Sequence, residues 1–201
     1  MQIDHVVVAA ADLEAAAREL ERRHGLASVD GGRHPGWGTA NRIIPLGEAY
    51  LELIAVVDQV EAGASPFGPW VSAATPNRPL GWAVRTGDLD RVAASRGLPV
   101  QPGSRRAPGG ELLRWRTAGI EVAVTDPSLP FFIEWHPETR HPGLTAGPTA
   151  SLVCLVLRGD RDRLDAWLGP HSLPIDVRPG SPAVTHIVLS LAGAEVVLGT
   201  V

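Results

Sequence analysis

Two glutamates lie where carboxylates are rarely left alone. Glu52 sits in the apolar run Tyr50 to Val57 (YLELIAVV), and Glu134 sits in Phe131 to Trp135 (FFIEW). A carboxylate in such surroundings needs a partner, because an unpaired buried charge is strongly disfavoured. The chain offers arginines for the purpose, among them Arg42, Arg114 and Arg116 on neighbouring strands. A histidine, His5, lies in a similar run at Ile3 to Ala9; taken alone, it reads as a core histidine. Side chains alternate along a strand, so His5 is expected to share a face with Ile3 and Val7, and Glu52 with Ile54 and Val56. If those faces line one concave sheet, a histidine and the two carboxylates Glu52 and Glu134 converge where water is scarce.

Composition narrows the chemistry. The 18 basic residues include no lysine, which excludes a lysine Schiff base or nucleophile. The net charge is −4, and the arginines cluster only in pairs such as Arg22-Arg23 and Arg105-Arg106, so a nucleic-acid partner is not expected. There is no GxSxG elbow, no P-loop and no GxGxxG after a strand. The single cysteine, Cys154, sits in LVCLVL and reads as a core thiol, consistent with a reducing compartment. The opening IDHVVVAA has neither a basic leader nor a membrane-length apolar stretch, so a cytoplasmic protein without a membrane partner is expected.

The elements that must position these residues recur. Ile3 to Ala9 reads as a strand. Asp12 is an N-cap for a helix from Leu13 to about His24, which Gly25 ends. After the loop GGRHPGWGTA come strands near Asn41 to Leu46 and Ala49 to Val57, then a Gly/Ser/Pro-rich linker from about Asp58 to Pro79. The order repeats: LGWAVR as a strand, Asp88-Leu89-Asp90 at a helix start, the loop GSRRAPGG, then strands ELLRWR and FFIEW. A shorter third pass runs from Ser151 through SLVCLVL, a helix at Arg161 to Leu168 whose start Asp160 and Asp162 cap and charge, and the strands AVTHIVLSL and AEVVLG. His186, in that third pass, reads as core.

The segments IDHVVVAAADLEAA, GGRHPGWGTANRIIPLG, YLELIAVVD and FFIEW resemble the glyoxalase-like branch of the vicinal oxygen chelate superfamily. The resemblance implies an α+β fold of paired βαβββ modules whose strands curl into an open, mixed-sheet barrel around a divalent metal. The modules are expected at 1–60 and 78–140, with a third, partial βαβββ-like module at 150–201, all in one compact unit. It also implies metal ligands at His5, Glu52 and Glu134. The fourth ligand position falls on Gly81 or Trp82, neither of which binds a metal. An ion would relieve the repulsion between two converging carboxylates. One imidazole and two oxygen ligands suit Zn, Mn, Ni, Co or Fe without choosing among them. Expected substrate contacts are His34, reaching from its loop, Asn41, Arg42, Trp37 and Trp82, with Trp135 beside the cavity and His136 as a contact or further ligand.

Two functions fit these expectations. One is a metal-dependent isomerase or lyase that stabilises an enediolate or related oxyanion of a small molecule with vicinal oxygens, with Glu52 or Glu134 as the base. The other is a binding protein of the bleomycin-resistance type that sequesters a drug or natural product without turnover. A scaffold with a decayed site is a third. A monomer or a homodimer is compatible with two modules in one chain.

Overall fold

Asp12 and Asp88 start the same local structure twice. Each side chain accepts a hydrogen bond from the backbone N–H three residues on, at Ala15 and Arg91, and so caps helices α1 (Leu13–His24) and α4 (Leu89–Arg96). Each helix ends at a glycine in the left-handed region, Gly25 (φ 68°) and Gly97 (φ 64°). The computed structural model describes residues 1–65, 67–148 and 150–199, so the last two residues of the expected third module lie outside it.

Around these helices the chain builds an eight-stranded mixed sheet. Its first half comes from β1 (Gln2–Ala9), β2 (Val29–His34), β3 (Thr39–Pro45) and β4 (Tyr50–Val56). Its second half comes from β5 (Pro79–Arg85), β6 (Val100–Arg106), β7 (Leu112–Ala118) and β8 (Phe131–Trp135), with the short helix α5 (Ile120–Thr125) between the last two. The strand order is β2-β3-β4-β1-β5-β8-β7-β6, so the antiparallel pair β1–β5 lies at the centre of two equivalent halves. The two edge strands curl toward each other: a Cβ on Gly32 would lie 2.3 Å from the Arg106 carbonyl oxygen, so this approach requires glycine. The result is the nearly closed, barrel-like α+β fold that the family resemblance implies.

Two of these strands occupy segments expected to be loops. The sequences VDGGRH of β2 and VQPGSRR of β6 carry the turn-forming composition that hides an edge strand. The expected linker after β4 likewise contains two short helices, α2 (Gln59–Gly63) and α3 (Gly68–Ala73). Phe67, Trp70 and Val71 of this region pack with Val7, Ile54, Ala83, Phe131 and Ile133 as an apolar cluster inside the barrel. A second cluster covers the barrel's outer face, where Val6, Leu51, Trp82 and Phe132 meet α1, α4 and the C-terminal segment.

That segment has the element order of a module without its pairing. Strands β9 (Ser151–Arg158), β10 (Ile175–Arg178), β11 (Ala183–Leu191) and β12 (Ala194–Gly199), with helix α6 (Arg161–Leu168), form a separate sheet in the order β10-β9-β11-β12. Its Leu155, Leu157, Ile187 and Leu189 join the outer cluster. Cys154 is half-buried on β9 rather than in the core, and His186 is half-buried on β11. Among the described residues no helix is long and apolar enough to cross a membrane.

Candidate active site

Asp4 is the residue on which the site turns. The ladder between β1 and β5 steps from Ile3↔Val84 to His5↔Ala83, leaving Asp4 as an extra residue in a β-bulge. A bulge breaks the alternation of faces. Ile3 therefore packs on the outer cluster while His5 points into the barrel, so the two do not share a face as the alternation predicts. The bulge also lets neighbours meet: His5 Nδ1 lies 2.7 Å from Asp4 Oδ1. The other carboxylate oxygen of Asp4 accepts from Trp135 Nε1 at 3.0 Å and from His141 Nε2 at 3.0 Å. Full burial alone would raise the Asp4 pKa; the hydrogen bonds from His141 and His5, with their charges, outweigh it and hold the carboxyl below the usual range.

His5 turns its remaining nitrogen toward Glu52. The distance from His5 Nε2 to Glu52 Oε2 is 3.7 Å, and His34 Nε2 lies 3.8 Å from Oε1 of the same carboxylate. The Asn41 amide donates to Glu52 Oε1 at 2.5 Å and sits 3.3 Å from His34 Nε2. Turned the other way, the amide would set an oxygen against two acceptors, so the network fixes its orientation. His34 Nδ1 then donates to Thr39 Oγ1 at 2.9 Å. Burial pushes the His34 pKa down to about 4, with Glu52 opposing and Arg105 and His5 reinforcing, so this imidazole is neutral at pH 7. Burial, with the charges of Asp4 and Glu52, raises the neighbouring Tyr50 hydroxyl well above its ordinary pKa.

Glu134 does not join this group. In parallel register β1 sets His5 beside Tyr50 and Val7 beside Glu52, whereas β5 sets Ala83 beside Phe131 and Arg85 beside Ile133. The second-half equivalents of His5 and Glu52 are thus Ala83 and Ile133. Glu134 is one residue out of step, and one step along a strand reverses the face. It accepts from Arg116, with Nε at 3.1 Å, and from the Leu89 backbone N–H at 3.2 Å at the start of α4. Glu134 has the arginine partner that the sequence offers; Glu52 has none within 4.0 Å among the described residues.

The remaining expected contacts divide. His34, Trp37, Asn41 and Trp135 line the cavity with His5 and Glu52. His34 does so from the end of β2, buried, and not from a loop. Trp82 packs on the outer face with its Nε1 donating to the Ser128 carbonyl, and Arg42 pairs outside the barrel with Glu14 and Asp30. His136 and Glu134 border a second, open cleft of about 930 Å³. The inner cavity is only about 30 Å³, room for about two waters. Trp37, Trp115 and Trp135 line both and form the partition between them. Trp115 lies against Gly103, where a Cβ would come within 2.3 Å of its indole nitrogen. Sequence reasoning missed Asp4, Arg105, Trp115, Thr117 and His141; only Asp4, next to His5, carried a local signal.

A family model described as "Glyoxalase-like domain" matches residues 3–170. The chain belongs to this family, within the vicinal oxygen chelate superfamily. Among solved structures it is similar to a hypothetical protein from Staphylococcus aureus, at 15% identity over 98% of both chains with a TM-score of 0.65. It is also similar to methylmalonyl-CoA epimerase from Mycobacterium tuberculosis, at 21% identity over 67% of this chain and 87% of that one, with a TM-score of 0.48. No curated protein matches. The first likeness is one of fold and includes the C-terminal sheet.

The divalent ion implied by this superfamily does not fit the residues present. The half-site of His5 and Glu52 faces Ala83 and Ile133, which carry no ligand atom. The His34 Nε2 is engaged by Asn41. Among the described residues no group of three His, Cys, Asp or Glu is placed to hold a metal.

Proposed function

We propose that this glyoxalase-like protein is a small-molecule enzyme of the isomerase or lyase type, in which Glu52 moves a proton at a carbon beside a carbonyl. The observation that carries the reading is a buried carboxylate with no arginine within 4.0 Å among the described residues, turned into a cavity and held by an amide between two imidazoles. In the reaction the substrate C–H bond breaks, its electron pair shifts toward the carbonyl oxygen and the proton passes to Glu52. Return of the proton to a different atom or face gives isomerisation; loss of a neighbouring leaving group gives elimination. Asp4 fixes the ring of His5, so that its Nε2 faces Glu52. The expected vicinal-oxygen substrate fits this scheme, while dependence on a metal held by Glu134 does not. A cytoplasmic setting and a monomer or simple homodimer belong to the same reading.

The test is solvent-deuterium incorporation followed by proton NMR, with hydroxyacetone, dihydroxyacetone, pyruvate and 2-oxobutyrate as probes. Exchange above the buffer rate, lost about 100-fold or more in Glu52→Gln, is the expected result. No protein-dependent exchange, combined with tight binding of an aromatic compound, would instead support sequestration, which the tryptophan partition and the half-empty ligand set favour.

A further inference from the structure

Arg105 is the one charge in the cavity that proton transfer at Glu52 leaves without a task. It projects inward from β6 and is only 4% exposed. No carboxylate lies within 4.0 Å of it among the described residues, and its single side-chain hydrogen bond runs to the Gly31 carbonyl on β2. A guanidinium has five N–H donors and stays charged, so one carbonyl leaves most of its capacity unused. Thr117, on the adjacent strand β7, lines the same cavity, and its buried hydroxyl has no partner among the described residues. Buried polar groups are nearly always satisfied, and an unpartnered hydroxyl opening on the same small space as a guanidinium with spare donors calls for an acceptor there.

The bond to Gly31 has a structural use, since it ties β6 to β2 where the sheet edges meet. That use accounts for neither the cavity-facing remainder of the guanidinium nor the idle Thr117 hydroxyl. A planar acceptor with two oxygens matches the guanidinium fork, and the inner cavity, with room for about two waters, suits a carboxylate head.

We propose that Arg105 and Thr117 bind the carboxylate of the substrate, which makes the substrate class small 2-oxo or 2-hydroxy acids. This rests on the reading of Glu52 as the base, which the bound acid would place beside its reacting carbon.

The experiment is a tryptophan-fluorescence titration of the full chain carrying Glu52→Gln, with pyruvate and with its neutral amide. Pyruvate is expected to bind saturably and about tenfold or more tightly than the amide. It should bind more tightly to this variant than to the parent, because a like charge has been removed. Adding Arg105→Gln should abolish the preference for the acid, and Arg105→Lys should restore part of it. Thr117→Val, which leaves the tie to Gly31 intact, should weaken pyruvate alone by about fivefold. Equal affinity for acid and amide, no binding of pyruvate, or a preference for the acid that survives Arg105→Gln would overturn the subsite. Since Glu52→Gln cannot take the proton, binding there is independent of turnover. Arg105-dependent binding without exchange by the parent would overturn the base and leave the subsite standing.

Discussion

The two halves of the barrel are built alike and furnished differently. Tyr50 and Phe131 occupy the same place beside the central strands, but His5 is answered by Ala83 and Glu52 by Ile133. The first half supplies a carboxylate among polar groups; the second supplies an apolar wall, with Arg105 and Thr117 as its polar exceptions. Duplication thus fixes the backbone while leaving the chemistry of each half free. A symmetric barrel that would grip an ion from both sides becomes here a one-sided site facing a hydrophobic surface.

Restoring the symmetry is the sharpest way to probe that difference. Ala83→His combined with Ile133→Glu supplies the missing ligand positions, and the double variant should retain about one Zn²⁺ or Ni²⁺ per chain after dialysis, with the parent well below that by elemental analysis. Breaking the bulge network comes next. Asp4→Asn replaces an acceptor shared by three donors with a group that must donate at one oxygen position, and should lower unfolding stability by about 3 kcal/mol in urea titrations.

Acid should act on the first half through His34. Its folded pKa is about 4 against 6.5 in the unfolded chain, so between those values the unfolded state binds the extra proton and stability falls as pH falls. The loss approaches about 3 kcal/mol by pH 4, and His34→Gln should flatten that slope. Asp4 acts in the same direction at lower pH: its depressed pKa stabilises the fold above the unfolded value of 3.8 and is lost as pH falls below it. The smallest effect belongs to the second half. Glu134→Gln breaks a partly exposed pair with Arg116 and should cost under about 1 kcal/mol in the same urea assay.

Much of this architecture could be read from the chain because each module announces itself through an aspartate cap, a terminal glycine and two apolar strands. The site was half legible for a related reason. His5 and Glu52 stand out by chemical type within apolar runs. The match of YLELI to FFIEW, however, invites a one-residue slip, and only the ladder register shows that Ile133, not Glu134, faces inward. Edge strands β2 and β6 were hidden by the glycines, proline and arginines that let them approach each other and meet water, and with β6 went Arg105. The bulge at Asp4 depends on pairing with β5, a strand more than seventy residues away, and no local pattern marks it.

The most direct test of the one-sided site is the rate of solvent-deuterium exchange into pyruvate catalysed by the parent, by Glu52→Gln and by Glu134→Gln. Collapse of the rate in Glu52→Gln, with Glu134→Gln within about twofold of the parent, is the predicted result. Equal losses in the two variants, or full activity in Glu52→Gln, would contradict it.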